Sequence, residues 1–539
     1  MNCQNLLLPL PAIQRINVMR KRFLGCIVML LIDIGGAMIQ ADNLGTMLTD
    51  GLEYELSVQG GITRGDHTPL WLNANKYGLS SLNKDNGYLR ASITKPMATE
   101  SNRKWEIGYK LDMVAAYHHT STMIVQQAFV EARWLKGYLT IGAKEYPLEL
   151  KNDELSTGSQ TLGKNARPVP QVRLALPDYW AVPLTNGWVS VKGHIAYGMQ
   201  TDGNWQAEFT HQQSKYTDKT IYHSKAGYIK IGNEYRFLPV SVEMGLEMAA
   251  QFGGTSWMPG LGGEMGKVEN SQGISDFWNV FIPGGSDVGE DVYKNREGNQ
   301  VGSWVLRINF DYPTWYMGIY ADHYFEDQSS MFMVDYDGYG KGDEWDTRKH
   351  NRIMMYSLKD MQLGLDLKFK NSNALNNILF EYIYSKYQSG PVYHDHTQTV
   401  SDHIGGNDDY YNHSIFSGWQ HWGQVMGNPL YLSPIYNDDA TIKVKDNRFY
   451  AFHLALAGDP SQYTHYKVMA TYRKGFGTYD KPLFNPKESL SVMAQLDYSF
   501  PDYTKMKGWG ITAAYGWDAG NTYGQNHGFM LTIRKSGKL

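Results

Sequence analysis

Hydrophobicity alternates with a period of two over most of this chain, and few folds accommodate that pattern at such length. Trp105, Ile107, Tyr109, Leu111, Met113, Ala115 and Tyr117 alternate with mostly polar or small residues. Met361, Leu363, Leu365, Leu367 and Phe369 do the same, interleaved with Gln362, Gly364, Asp366 and Lys368. Residues 240–250, 304–312, 490–498, 509–517 and 529–533 repeat it. Alternation sends successive side chains to opposite faces of a strand. We count about seventeen such segments of roughly 8–12 residues between Leu52 and Arg534, near the length that crosses an outer membrane when tilted. No Pro/Ser-rich linker divides them, so residues 42–539 read as a single domain. Residues 149–161 and 375–377 are expected to form short helices.

Two architectures stabilise many alternating strands. A soluble sandwich or propeller turns its apolar face inward, whereas a membrane barrel turns it outward around a polar lumen. Aromatic residues at strand ends (Trp105 and Tyr117, Trp304 and Tyr312, Trp509 and Trp517) match interfacial girdles. Lys110, Asp112, Asp366 and Lys368 sit mid-strand on the opposite face, as in a wet lumen where a charge-preserving change at Asp366 costs little. No blade-length repeat supports a propeller. The expected fold is therefore all-β, a transmembrane antiparallel barrel with long extracellular loops and a few short helices, placed in the outer membrane and in contact with its lipid.

Composition agrees. Mean hydropathy of -0.45 excludes a bundle of membrane helices but not a barrel, in which only alternate residues meet lipid. With 50 basic against 54 acidic residues, no basic excess invites nucleic acid. Arg20, Lys21 and Arg22 precede an apolar run over residues 23–34 and small residues ending at Ala41, the order of an export signal. Residues 1–41 are thus expected to be removed, with Met19 as the initiator. Both cysteines, Cys3 and Cys26, fall within that segment, which leaves no disulfide, thiolate metal site or cysteine nucleophile in the mature chain. The chain ends on KSGKL at 535–539 without a terminal aromatic, which bears on assembly signals and not on the fold.

Three polar insertions interrupt the strand rhythm, at residues 258–300, 335–351 and 389–447. The last carries the candidate carbohydrate-binding residues Asp408, Tyr410, Tyr411, Trp419, His421 and Trp422. Pyranose rings present apolar C–H faces to Trp and Tyr, while Asp and His bond hydroxyls. The competing reading is that these long loops pack on one another. His394 and His396 supply two metal ligands but no spacing completes a zinc site. Asp335, Asp337, Asp343, Glu344 and Asp346 leave calcium binding open, against a plainly solvated loop. No nucleophile elbow, HExxH or phosphate loop is present, so neither an enzyme nor a cofactor is expected.

One further pattern is the set TPLWLNANKYG at 68–78, LSTGS at 155–159, NARPVP at 165–170, YFED at 324–327, QSGP at 388–391, GNDDYYN at 406–412, GWQHWG at 418–423 and GNPL at 427–430. In these segments, which span nearly the whole mature chain in order, the sequence resembles the capsule assembly Wzi family in its Bacteroidetes form. The resemblance implies an 18-stranded outer-membrane barrel with periplasmic helices, acting as a lectin that attaches capsular polysaccharide or exopolysaccharide. It implies no particular sugar. A porin-like channel for small solutes is the alternative, and the oligomeric state expected is a monomer.

Overall fold

The computed structural model describes residues 49–97, 104–233, 238–260, 264–282, 298–326, 332–334, 339–349, 353–355, 359–394, 396–401 and 404–539. The expected export signal, residues 1–41, lies outside them. The alternating segments form one sheet of eighteen antiparallel strands that closes on itself. In chain order the first six are Glu53–Arg64, Asp85–Lys95, Trp105–Tyr117, Met123–Trp134, Gly137–Ala143 and Gln171–Ala181. Next come Val189–Met199, Ile221–Ile231, Val240–Phe252, Asn299–Asp311, Trp315–Glu326 and Met361–Phe369. Asn377–Tyr384, Phe449–Ser461, Thr464–Gly477, Pro482–Ser499, Trp509–Gly520 and Asn526–Lys538 complete the wall. Glu53–Arg64 pairs with its successor on one side and with Asn526–Lys538 on the other, in register from Glu53 opposite Lys538 to Arg64 opposite His527. Closure leaves no free strand edge.

The expected barrel is therefore the observed fold, and the strand number is the eighteen that the resemblance implied. Leu56, Val58 and Ile62 on the first strand, Leu89 and Ile93 on the second, and Phe529, Leu531 and Ile533 on the last face outward and are exposed. Between such residues lie inward-facing polar ones: Gln362 and Asp366 are buried on either side of exposed Leu363 and half-exposed Leu365. One end of the barrel carries only short connections, as at residues 135–136 and 312–314, and the other carries all the long ones, such as 65–84 and 144–170, beside three short turns at 118–122, 478–481 and 521–525. Barrels of this type put the short turns in the periplasm and the long loops outside. Trp105, Trp134, Trp180, Trp188 and Trp509 all lie at the short-turn end and are exposed, with Trp105 stacked on Trp134 at 5.7 Å. This is the periplasmic girdle. The chain is an outer-membrane β-barrel.

Two local expectations fail. Residues 149–161 are not helical, because Asn152 Oδ1 accepts the backbone N–H groups of Glu154 and Leu155 at 3.1 and 3.0 Å and turns the chain instead. Residues 375–377 complete a short turn and enter the strand Asn377–Tyr384. The α-helices among the described residues are Leu70–Asn73, Gly203–Phe209 and Ile274–Phe281, all in connections at the long-loop end and not at the periplasmic end that the resemblance implied.

Candidate functional site

The lumen is not wet throughout. Three long connections fold back into it: residues 66–82, 144–170 and 408–447. Their small polar residues match the polar inner wall. Glu381 is the clearest anchor: its carboxylate accepts hydrogen bonds from Ser156 Oγ (2.6 Å), Thr157 N (2.9 Å), Thr157 Oγ1 (2.6 Å) and Gln362 Nε2 (2.8 Å), and from the Tyr320 hydroxyl. Lys151 pairs with Asp322 at 2.7 Å, with both side chains buried. Asp366 accepts from Arg307 at 2.8 Å and from Asn152 at 3.1 Å. The sequence expectation of a solvated, tolerant Asp366 is thereby corrected, since losing one partner of a buried pair is costly. At the far tip Glu154 reaches His465 at 2.7 Å, near the start of Thr464–Gly477 and hence at the short-turn end. The second connection therefore runs the depth of the barrel and returns.

The first and third connections lock onto it. Leu70 N donates to Asp518 at 3.0 Å and Trp71 Nε1 to Thr471 at 3.0 Å, which fixes the short helix Leu70–Asn73 to the wall. Gly163 N donates to Met426 O at 3.0 Å. There the backbones approach so closely that a Cβ on Gly427 would collide with the Tyr411 hydroxyl and the Gln160 carbonyl. Much of the sequence that carries the family resemblance, at 68–78, 155–159, 165–170, 418–423 and 427–430, lies in this plug.

The candidate sugar-binding residues are brought together, but mainly as packing. Tyr410 OH donates to Asp360 at 3.2 Å, and its ring meets Tyr324 edge-on at 4.7 Å. Tyr411 OH donates to the Gln160 carbonyl, and its ring lies 4.2 Å from Tyr431. Trp419 Nε1 donates to Thr161 O at 2.9 Å, and the indole stacks on Tyr222 at 5.9 Å. His421 bonds Arg167 O through Nδ1 at 2.8 Å and accepts Thr201 N through Nε2 at 3.1 Å. All four are buried with no ring face open to a sugar, so the packing reading describes them. Trp422 is half-buried, with the Arg167 guanidinium 4.1 Å above its ring. Asp408 Oδ1 caps Asp409 N at 2.9 Å.

Exposed aromatics lie elsewhere on the outer loops. Tyr339 stacks on His396 at 3.7 Å and 11°, with Trp345 5.8 Å from the same imidazole. Arg348 donates to the Tyr339 hydroxyl at 3.1 Å. Trp345 is 39% exposed and Trp278 60%. The signal for this cluster was present in the insertion at 335–351, where the acids dominate the pattern. Of those, Asp335 and Asp337 lie outside the described residues, and Glu344 pairs with Lys349 at 2.8 Å.

A cavity of about 550 Å³ remains between the plug and the wall. Tyr138, Leu176 and Asp178 line it towards the short-turn end, and Gln171 and Tyr222 towards the other, with Trp419 and Met426 contributed by the plug. Lys144 pairs with Glu131 there at 2.7 Å and Lys192 with Glu149 at 2.5 Å.

No family model and no curated protein matches the sequence. Among solved structures the chain is similar in outline to OccAB4 of Acinetobacter baumannii, with a TM-score of 0.42 and 10% identity over 92% of this chain and 100% of that one. It is similar to the outer membrane protein OprD from Pseudomonas aeruginosa, with 0.43 and 8% over 92% and 95%. It is also similar to OccK5 (OpdH) of Pseudomonas aeruginosa, with 0.44 and 6% over 91% and 99%.

Proposed function

We propose that the protein is a non-enzymatic outer-membrane barrel that holds capsular polysaccharide or exopolysaccharide at the cell surface. The observation that carries this reading is the filled lumen. Three connections occupy it and bond to buried wall carboxylates, so the chain presents its surroundings with shaped loops rather than a wide aqueous hole. The resemblance to the capsule assembly Wzi family supports the same reading. Contact with sugar is assigned to Trp345, the exposed ring beside the half-buried Tyr339–His396 stack, and Trp419 is assigned to packing.

The test is retention of polysaccharide by cells carrying Trp345→Ala together with Tyr339→Ala. More polymer is expected in the medium, with total synthesis and surface level of the barrel unchanged. Unchanged retention at normal surface level removes this loop group from the site. A porin-like channel is the second reading, and the cavity along the wall is the observation in its favour. Swelling of proteoliposomes in small sugars would support it.

A further inference from the structure

We propose that the cavity between plug and wall is a binding site for a small carboxylate carried on a ring, such as a uronic acid. This does not rest on surface polysaccharide binding, because the cavity lies inside the barrel. Its volume of about 550 Å³ falls within the ordinary range of ligand pockets.

The charges in it are unevenly matched. Lys144 and Lys192 are neutralised by Glu131 and Glu149. Arg167 spends its guanidinium on the Trp422 ring and on Thr120 Oγ1 at 3.1 Å. Arg173 has no such partner: among the described residues its guanidinium meets no carboxylate and no hydrogen-bond acceptor, and its Nε is buried and unsatisfied. It is held instead on the face of Tyr146, with Cζ 3.9 Å from the ring centroid. A guanidinium stacked on a ring keeps its N–H edge free, and that fork fits a carboxylate with two parallel bonds. Gln171, two residues earlier on the same face of the strand, has a buried Oε1 without a donor, suited to a hydroxyl next to the acid.

The remaining wall supplies the ring's surroundings. Tyr222 and Tyr228 offer apolar edges, and Ser224 and His194, 3.2 Å apart, offer polar contacts. A half-buried cation on an aromatic platform, with its Nε shielded from solvent and no carboxylate beside it, favours a counter-ion. The geometry is that of a prepared anion site with room for one ringed acid.

The experiment is titration of the full chain in detergent with glucuronate, followed by calorimetry, with glucose and inorganic phosphate as comparison probes. Saturable glucuronate binding is expected, with glucose weaker by about tenfold or more, the worth of one charge-assisted contact. Phosphate at equal concentration should fail to displace it. Arg173→Gln should weaken glucuronate about tenfold, Arg173→Lys should restore part of the loss, and both should keep the mobility shift of an intact barrel on unheated gels. Tyr146→Leu, which removes only the platform, is the second variant should Arg173→Gln fail to fold, and it should weaken binding as well. Absence of saturable binding would overturn the proposal. So would unchanged affinity in a folded variant, or equal competition by phosphate.

Discussion

Replacing Glu381 with alanine should release the plug and leave the barrel standing. The side chain is fully buried and accepts from four donor groups at 2.6–2.9 Å and from the Tyr320 hydroxyl. Alanine strands all of these donors in an interior without bulk water. Hydroxyls of Ser156, Thr157 and Tyr320 can rotate towards other acceptors, but the Thr157 N–H and the Gln362 amide have no such freedom. Each buried donor left unsatisfied costs about 1–3 kcal/mol, so the two together come to about 2–6 kcal/mol. The wall hydrogen bonds of Asn377–Tyr384 to both neighbours are backbone bonds and survive the change. The loss therefore falls on docking of residues 144–170. Trypsin reads it directly, because Lys151 and Lys164 lie within that connection and Lys151 is buried. When opening is fast relative to cleavage, the rate follows the open fraction. At 1.4 kcal/mol per tenfold, a loss of about 3 kcal/mol raises cleavage by roughly 100-fold. Cleavage within twofold of the unmutated protein would refute the reasoning, as would loss of the barrel's mobility shift at the same protease exposure.

Leu365→Arg should destabilise the barrel by about 2–4 kcal/mol in a refolding titration, because Leu365 lies between Ile319 and Phe380 on the lipid face; no effect would mean the faces are reversed. Gly427→Val should lose plug protection against trypsin by pushing Tyr411 and the Gln160 carbonyl away, whereas Gly60→Ala, with open space around its Cβ, should be neutral in the same assay. Acid should loosen the third connection through His413, whose Nδ1 accepts the Ile415 and Phe416 N–H groups at 3.0 and 3.2 Å. Burial, helped by nearby Lys215, pushes its pKa down to about 3, below the usual 6.5. The stabilisation is then complete above about pH 6.5 and is lost progressively as pH falls towards 3. Quenching of Trp419 fluorescence should rise over that window, and His413→Gln, which keeps an acceptor, should flatten the change.

The wall was legible in the sequence and its contents were not. Trp105–Tyr117 and Met361–Phe369 are the strands that period two marked out, because one face of each must meet lipid and that requirement writes itself into every second residue. Period two does not say what covers the other face. Asp112 and Asp366 read as solvated, yet Arg90 and Arg307 meet them from the wall itself, and Asn152 reaches Asp366 from a connection with no periodic signal. A polar connection is normally a surface loop. Inside a polar barrel the rule inverts, and the small residues Ser156, Thr157, Ser159 and Thr161 become core. Tyr410, Tyr411 and Trp419 pack inside for the same reason: aromatics among polar residues suit a plug as well as they suit a sugar. Trp345 carried the weaker signal and is the more exposed ring.

Single-channel recording from the purified barrel in a planar bilayer tests the filled lumen most directly. The expected result is no steady ohmic current from the unmutated chain, and large steady currents once residues 148–165 are replaced by a short glycine-serine link. Steady, large conductance from the unmutated chain would contradict a plug held by Glu381, Asp322 and Asp366, and with it the surface-holding function built on that plug.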